Sequence, residues 1–446
     1  MTLKILKRCL LLLGAMAIIV GCDTLLSSQN NSDNSESTES LSEVTYSPEE
    51  LKEFQDRVQK NAVNRYKDLQ IPTEPLLVKP DSLPADLLYV SQIDIPYPVD
   101  GVKGIYLTES NVSNPEYFDE IINYIDQTEL NAVVLNFKDD WGNILQSFET
   151  DNPNIEANIT ATVDYHKILE KLASKQIYPI ARIVTFKDSR LAELRPDLSF
   201  HDISTGEIWS DGGGSKFINP FLQETWDYII SIAEEAAKLG FKEIQFDYIR
   251  FPEGFHVFSQ DLEYELGGYA AYVSEDPELE GQERTQAIAD FLDYAREKLA
   301  PYDVEISADV FGYTAVAGNA PDVRGIGQDF KLMAERVDVV SSMIYPSHWS
   351  EGFFGFDYPD LYPYDFTKAY MQEEANVLAE VADPVRTRPW LQDFTADYLP
   401  EGTYMYYGPQ EVEDQIRALK ELGVHEFLLW NAAGDYSRPV NYDPPL

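Results

Sequence analysis

Residues 243–252 read Glu243-Ile244-Gln245-Phe246-Asp247-Tyr248-Ile249-Arg250-Phe251-Pro252. A strand sends successive side chains to opposite faces. Ile244 and Phe246 then face covering helices, while Gln245 and Asp247 face the other way, with Asp247 at the end of the run. A strand packed on one side, polar on the other and ending on a carboxylate suits a barrel whose reactive groups gather at the C-terminal rim. Ile306-Ser307-Ala308-Asp309-Val310-Phe311-Gly312-Tyr313 repeats the arrangement, with Ser307 and Asp309 inward.

Outward from these two runs the alternation continues. Strands are expected over 104–108, 132–138, 178–185, 243–247, 305–309, 339–345, 388–392 and 427–430. Helices are expected between them, over 115–128, 163–175, 221–239, 284–299, 328–336, 366–380 and 409–422. Asn219-Pro220 offers a cap and a first-turn proline to the third helix, and Gly240 and Gly423 offer stops. Strands separated by helices are parallel with right-handed crossovers. Eight of them over residues 101–446 predict an α/β fold, a closed (β/α)8 TIM barrel. A doubly wound open sheet is the alternative, but no Gly-x-Gly-x-x-Gly turn follows the first strand.

The N-terminus predicts the compartment. Lys4, Lys7 and Arg8 precede a short apolar stretch, Leu10 to Val20, that ends in Ile19-Val20-Gly21-Cys22. This resembles a bacterial lipobox, with residues 1–21 a signal peptide and Cys22 the lipidated residue. The competing reading is an ordinary signal peptide with an incidental cysteine. The expected location is the extracytoplasmic face of the cell membrane, reached through the lipid on Cys22. Residues 22–47 are rich in Ser, Asn, Glu and Thr and read as a disordered tether. Residues 48–100 read as a helix opened by Ser47-Pro48-Glu49-Glu50, then a proline-rich extended strap.

The only other cysteine, Cys9, leaves with the signal, so no disulfide and no cysteine-ligated zinc are expected in the folded part. With 34 basic against 77 acidic residues the net charge is −43, or about −46 without the signal. That surface repels nucleic acid and anionic head groups, so no nucleic-acid partner is expected. The five histidines are scattered, and neither His-Glu-x-x-His nor Gly-x-Ser-x-Gly occurs. No metal and no cofactor are expected, and the protein is expected to be a monomer.

Asp247 and Asp309 end adjacent expected strands. Strands lie ~4.8 Å apart, close to the ~5–5.5 Å carboxyl separation of retaining glycosidases. The competing reading makes one of them a structural rim residue. By the same parity the second strand offers Asn136 and Lys138, followed by Asp139, Asp140 and Trp141. The third offers Arg182, the fourth Gln245, the sixth Tyr345 and then His348 and Trp349, the seventh Trp390 and Gln392, the eighth Trp430. Aromatic faces stack on sugar C–H surfaces and planar polar groups bond hydroxyls, so such a rim suits a glycan; Trp390 and Trp430 are alternatively barrel packing.

Several segments, quoted as they stand, carry a resemblance: NAVVLNFKDDWG from Asn131, PIARIVTFKD from Pro179, EIQFDYIRFP from Glu243, SADVFGY from Ser307, SMIYPSHW from Ser342 and RPWLQDF from Arg388. With Gly104-Ile105-Tyr106-Leu107-Thr108 they resemble a bacterial family described as a putative glycosyl hydrolase domain, over about residues 100–436. Tyr106, Tyr248 and Arg250 stand in these segments and join the substrate-binding candidates. The resemblance implies the barrel, a polysaccharide or oligosaccharide substrate, and a catalytic carboxylate at Asp247. The chain departs from the chitinase-type motif, since Ile249 stands where a Glu is required, and has Asp309 where many such barrels carry Glu. The leading expectation is a retaining glycoside hydrolase with Asp247 as nucleophile and Asp309 as acid/base, or the reverse. Asp139, Asp140 and Asp393 are held in reserve. A glycan-binding lipoprotein without turnover and a structural wall-associated module are the alternatives.

Overall fold

Each apolar run becomes a strand buried on both faces, because helices cover one side and lumen side chains fill the other. The computed structural model describes Ser47, Glu49, Lys52, residues 87–382 and residues 385–445. The chain divides into two units, Met1–Ile71 and Pro72–Leu446. In the first, Glu49 and Lys52 are helical and exposed. The signal peptide, Cys22, most of the tether and the remainder of the expected N-terminal helix lie outside the described residues.

The second unit holds the strands β1 (Lys103–Leu107), β2 (Ala132–Lys138), β3 (Tyr178–Val184), β4 (Glu243–Asp247), β5 (Glu305–Phe311), β6 (Val339–Met343), β7 (Arg386–Thr387), β8 (Trp390–Gln392) and β9 (Phe427–Trp430). Every neighbouring pair is parallel. β1 to β6 pair in chain order, β7 and β8 both lie against β6, and β9 joins β8 to β1 through Gly104↔Leu428. The sheet is closed, so the fold is a (β/α)8 barrel and the open-sheet alternative falls away. The expected seventh strand is two pieces, because Pro389 has no N–H for the ladder. Arg388 still donates to Val340 O (2.9 Å), and the strand then resumes at Trp390.

The crossover helices are α1 (Pro115–Ile125), α2 (Tyr165–Ser174), α3 (Gln223–Leu239), α4 (Gln282–Leu299), α5 (Phe330–Ala334), α6 (Pro363–Leu378) and α7 (Pro409–Glu421). α1 shows why they form. Asn114 accepts from Tyr117 N at its start, and Phe118, Ile121, Ile122 and Ile125 make one buried stripe. α3 starts at Gln223, two residues after its expected start at 221. Asn219 instead accepts from Phe221 N (3.0 Å) and fixes the preceding turn. Gly240, at φ +116°, stops α3 as expected.

Residues 89–98 run extended beneath the N-terminal ends of the strands. Tyr89 N donates to Pro301 O (2.7 Å), Ile93 and Ile95 are buried, and Tyr97 OH donates to Glu426 (2.6 Å). The bottom of the barrel is thereby capped, and the C-terminal mouth is the open end.

Candidate active site

The mouth holds a cavity of about 940 Å³, within the range of small-molecule sites. Phe246 is in register with Ala308, so Asp247 and Asp309 lie one residue further along neighbouring strands at the same level. Both line the cavity.

Arg182, from β3, is the centre of the polar floor and is almost wholly buried. Its Nε donates to Asp247 Oδ2 (2.8 Å), and its Nη1 donates to Asn136 Oδ1 (2.8 Å) and Asp140 Oδ2 (3.0 Å). Above it, Tyr106 and Trp430 stack with ring centres 4.4 Å apart, and the guanidinium lies 5.7 and 5.8 Å from their centres. Asn136 Nδ2 donates to Tyr106 OH (2.8 Å), tying the ring to the arginine's own partner. A buried guanidinium needs such partners on every side.

The other oxygen of Asp247, Oδ1, accepts from Tyr248 N (2.6 Å). Tyr248 sits at φ +48°, a conformation that costs a bulky residue roughly 1–3 kcal/mol and persists only where the surroundings enforce it. Here Phe186 N donates to Tyr248 O (3.2 Å), and the ring lies between Lys187 (4.4 Å) and Arg250 (4.9 Å). The strained turn delivers an aromatic ring and a rigid carboxylate to the cavity together.

Asp309 is placed differently. It is 1% exposed and accepts from Trp390 Nε1 (2.7 Å). Burial first, then the negative charge of Asp247, push its carboxyl well above the usual carboxylate range; the Trp390 hydrogen bond and Arg182 oppose this and lose. At Asp140 burial is also the largest influence and raises the carboxyl, but Arg182, Lys187 and Lys138 together outweigh it and hold the group below its ordinary value. Asp140 and Asp247 therefore share one buried guanidinium, and beside them Asp309 is shifted toward its protonated form. Paired acids pushed apart by environment are the mark of acid–base chemistry.

Of the expected residues, Tyr106, Asp140, Arg182, Asp247, Tyr248, Arg250, Asp309, Tyr345, His348, Trp349 and Trp430 line this cavity. Others lie elsewhere. The register between β2 and β3 shifts between Asn136 and Lys138, which turns Lys138 out of the lumen. Its Nζ pairs with Asp188 (2.9 Å), both side chains fully buried, and donates to Val184 O (2.6 Å). Gln245 is sealed within the barrel with Nε2 3.5 Å from Ser341 Oγ. Gln392 accepts from Ser347 N (3.1 Å) and donates to Asp360 (2.9 Å), bracing the loops after β6 and β8. Asn136 supports Arg182 from the side, and Trp141 stands outside, 57% exposed. Asp393, a reserve candidate, accepts from Ser437 N; burial lifts it to about 6.

The sequence reading missed Glu253, Tyr313, Asp322 and Phe353, which also line the cavity. They lie beyond the strand ends, Tyr313 and Asp322 on the short helices Tyr313–Ala317 and Pro321–Ile326, where strand alternation no longer applies. Two of them had a signal: Tyr313 continues the parity of Ser307 and Asp309, and Glu253 follows Arg250 by three residues and pairs with it at 3.0 Å.

One family and several solved structures resemble this chain. The family described as "Putative glycosyl hydrolase domain" matches residues 104–436. The glycoside hydrolase domain of PgaB (BpsB) from Bordetella bronchiseptica superposes with a TM-score of 0.50 at 16% identity, over 75% of this chain and 94% of that one. A hypothetical protein from Ruminiclostridium thermocellum is 31% identical over 50% of this chain and 98% of its own, with a TM-score of 0.39. The catalytic domain of a β-amylase from Paenibacillus polymyxa is 12% identical over 75% of this chain and 93% of its own, with a TM-score of 0.45. No curated protein matches. A closed barrel, a mouth built of carboxyls, arginine and aromatic rings, and a family match over most of the chain lead to one conclusion: the chain belongs to the glycosyl hydrolase-like family described as a putative glycosyl hydrolase domain.

Proposed function

We propose that this protein is a glycoside hydrolase that cleaves an extracellular or cell-wall polysaccharide by a retaining, two-carboxylate reaction. The observation that carries the reading is the unequal pair at the mouth: Asp247 held against Arg182, and Asp309 buried with its carboxyl well above the usual range. Asp247 attacks the anomeric carbon while Asp309 gives its proton to the departing glycosidic oxygen, leaving a glycosyl ester on Asp247. Asp309, now ionised, takes a proton from water as that water attacks the ester, which frees the sugar and restores both carboxyls. Arg182 fixes the approach of Asp247, and the Tyr106–Trp430 stack and Trp349 offer ring faces to the sugar.

The test is release of new reducing ends from a panel of cell-wall and exopolysaccharide glycans by the wild-type protein, with Asp247→Asn as control. Product from wild type and none from the variant supports the reading. Saturable binding without product from wild type replaces hydrolysis with glycan binding.

We also propose that the barrel is held at the membrane through lipid on Cys22. Labelled palmitate entering the wild type but not Cys22→Ser supports anchoring; label in both, or in neither, removes it.

A further inference from the structure

Beside the main cavity lies a smaller cleft of about 350 Å³. The two are continuous in their walls. Asp140 lines both, and Asn136, in the smaller, donates to Tyr106 OH, in the larger. Glu109, Ser110 and Ser113, from the short helix after β1, form one side of the cleft, and Trp141 forms the other.

Trp141 is a large apolar ring left 57% exposed, and the loop carrying it is fixed from three directions. Asp139 Oδ1 accepts from Trp141 N (2.9 Å) and Asn143 N (2.8 Å). Arg190 N donates to Trp141 O (3.1 Å), and Arg190 Nη1 to Asn143 Oδ1 (3.0 Å). Gly142 sits at φ +97° so close to Asp188 that a Cβ would lie 2.0 Å from its Oδ1. Asp188 is in turn pinned by Lys138. The buried Lys138–Asp188 pair therefore seats the Trp141 loop. An exposed ring on a backbone held in place suits a flat apolar partner, because little backbone freedom remains to be lost on contact.

We infer that this cleft is a second sugar subsite, with Trp141 as its stacking platform and the hydroxyls of Ser110 and Ser113 as hydrogen-bonding groups. Its occupant is a further residue of the same glycan chain whose neighbour sits in the main cavity. The inference rests on the glycan reading of that cavity and deepens it: the ligand is a chain several sugars long, laid across the mouth past Asp140, rather than one terminal sugar.

The experiment is affinity electrophoresis of the whole chain through gels cast with xylan, laminarin, mannan, glycol chitin or solubilised peptidoglycan glycan. Wild type, Trp141→Ala, Trp141→Phe and Asp247→Asn run side by side, and reducing ends are assayed on the same polymers. At least one polymer is expected to retard wild type and Asp247→Asn alike. Trp141→Ala is expected to weaken that retardation roughly five- to tenfold, the worth of about one aromatic stack, and Trp141→Phe to restore most of it. Equal retardation of Trp141→Ala and wild type, or no retardation by any polymer, overturns the subsite. Trp141-dependent retardation without reducing ends keeps the subsite and removes hydrolysis. Reducing ends with Trp141→Ala unaffected keeps hydrolysis and removes the subsite.

Discussion

The barrel carries a buried arginine among carboxylates at each end, and the two clusters do different things. At the bottom, Arg388 pairs with Glu243, both wholly buried, and reaches Glu426 at 3.8 Å; Ser307 and Tyr97 donate to these acids. At the mouth, Arg182 serves Asp140 and Asp247 while Asp309 stands beside them with an indole N–H. The bottom cluster lies under the strap of residues 89–98, whereas the upper one opens on the cavity. Buried ion pairs alone are therefore no sign of catalysis. What sets the mouth apart is an acid, Asp309, shifted toward its protonated form on the wall of a cavity.

The largest expected effect breaks the bottom cluster. Arg388→Met strands Glu243 without its cation and should cost about 3–5 kcal/mol of stability, read by urea denaturation. Activity per folded molecule should stay near wild type. Lost activity with unchanged stability would make the bottom part of the site and erase the distinction.

Next come the acids of the mouth. Asp247→Asn and Asp309→Asn should each lower the hydrolytic rate at least ~10²-fold with the melting temperature held. The double variant should lose less than the product of the two losses, because both groups serve one reaction. Azide should rescue Asp309→Asn on a substrate with an activated leaving group and leave Asp247→Asn dead. Near-wild-type turnover by Asp247→Asn in a clean preparation shifts attention to Asp140.

A finer change sharpens the contrast. Trp390→Phe removes the N–H that favours ionised Asp309. The acid must be protonated to act, so activity is lost as pH rises through its pKa. Removing the hydrogen bond raises that pKa, and the alkaline limb of kcat/KM should move to higher pH. A limb that stays put means Asp309 is not the acid.

The smallest effect concerns Asp393, raised by burial to about 6. A carboxyl lifted in the folded state favours folding fully below its unfolded value, and that contribution fades as pH rises through about 6. Asp393→Asn should flatten the fall in melting temperature between about pH 4 and 6 and leave activity intact. An unchanged melting profile would show that Asp393 titrates alike folded and unfolded.

Much of the barrel could be read from sequence because alternation and helix caps are local signals. Gln245, Asp247, Ser307 and Asp309 followed from parity alone. Parity fails where the count slips: a register shift between Asn136 and Lys138 sends the lysine to Asp188, and nothing in Asn136-Phe137-Lys138 announces it. The break in the expected seventh strand went unread, although Pro389 carried the signal for it in its missing N–H. Gln392 has inward parity, but a loop carboxylate, Asp360, claims it. Glu253, Asp322 and Phe353 reach the cavity from segments beyond the strand ends, whose paths depend on packing far away in the chain.

The Tyr106–Trp430 stack joins β1 to β9, the first and last strands of the cylinder, which meet only at Gly104↔Leu428 and its neighbours. During synthesis Tyr106 waits for nearly the whole barrel to emerge before its partner exists. Such long-range closure is slow to form. No partly made chain can hold Arg182 beneath both rings, so the floor of the mouth is complete only with the final strand. The Tyr106–Trp430 stack is thereby a readout of completed folding, and a chain stalled short of β9 lacks the aromatic wall of the mouth.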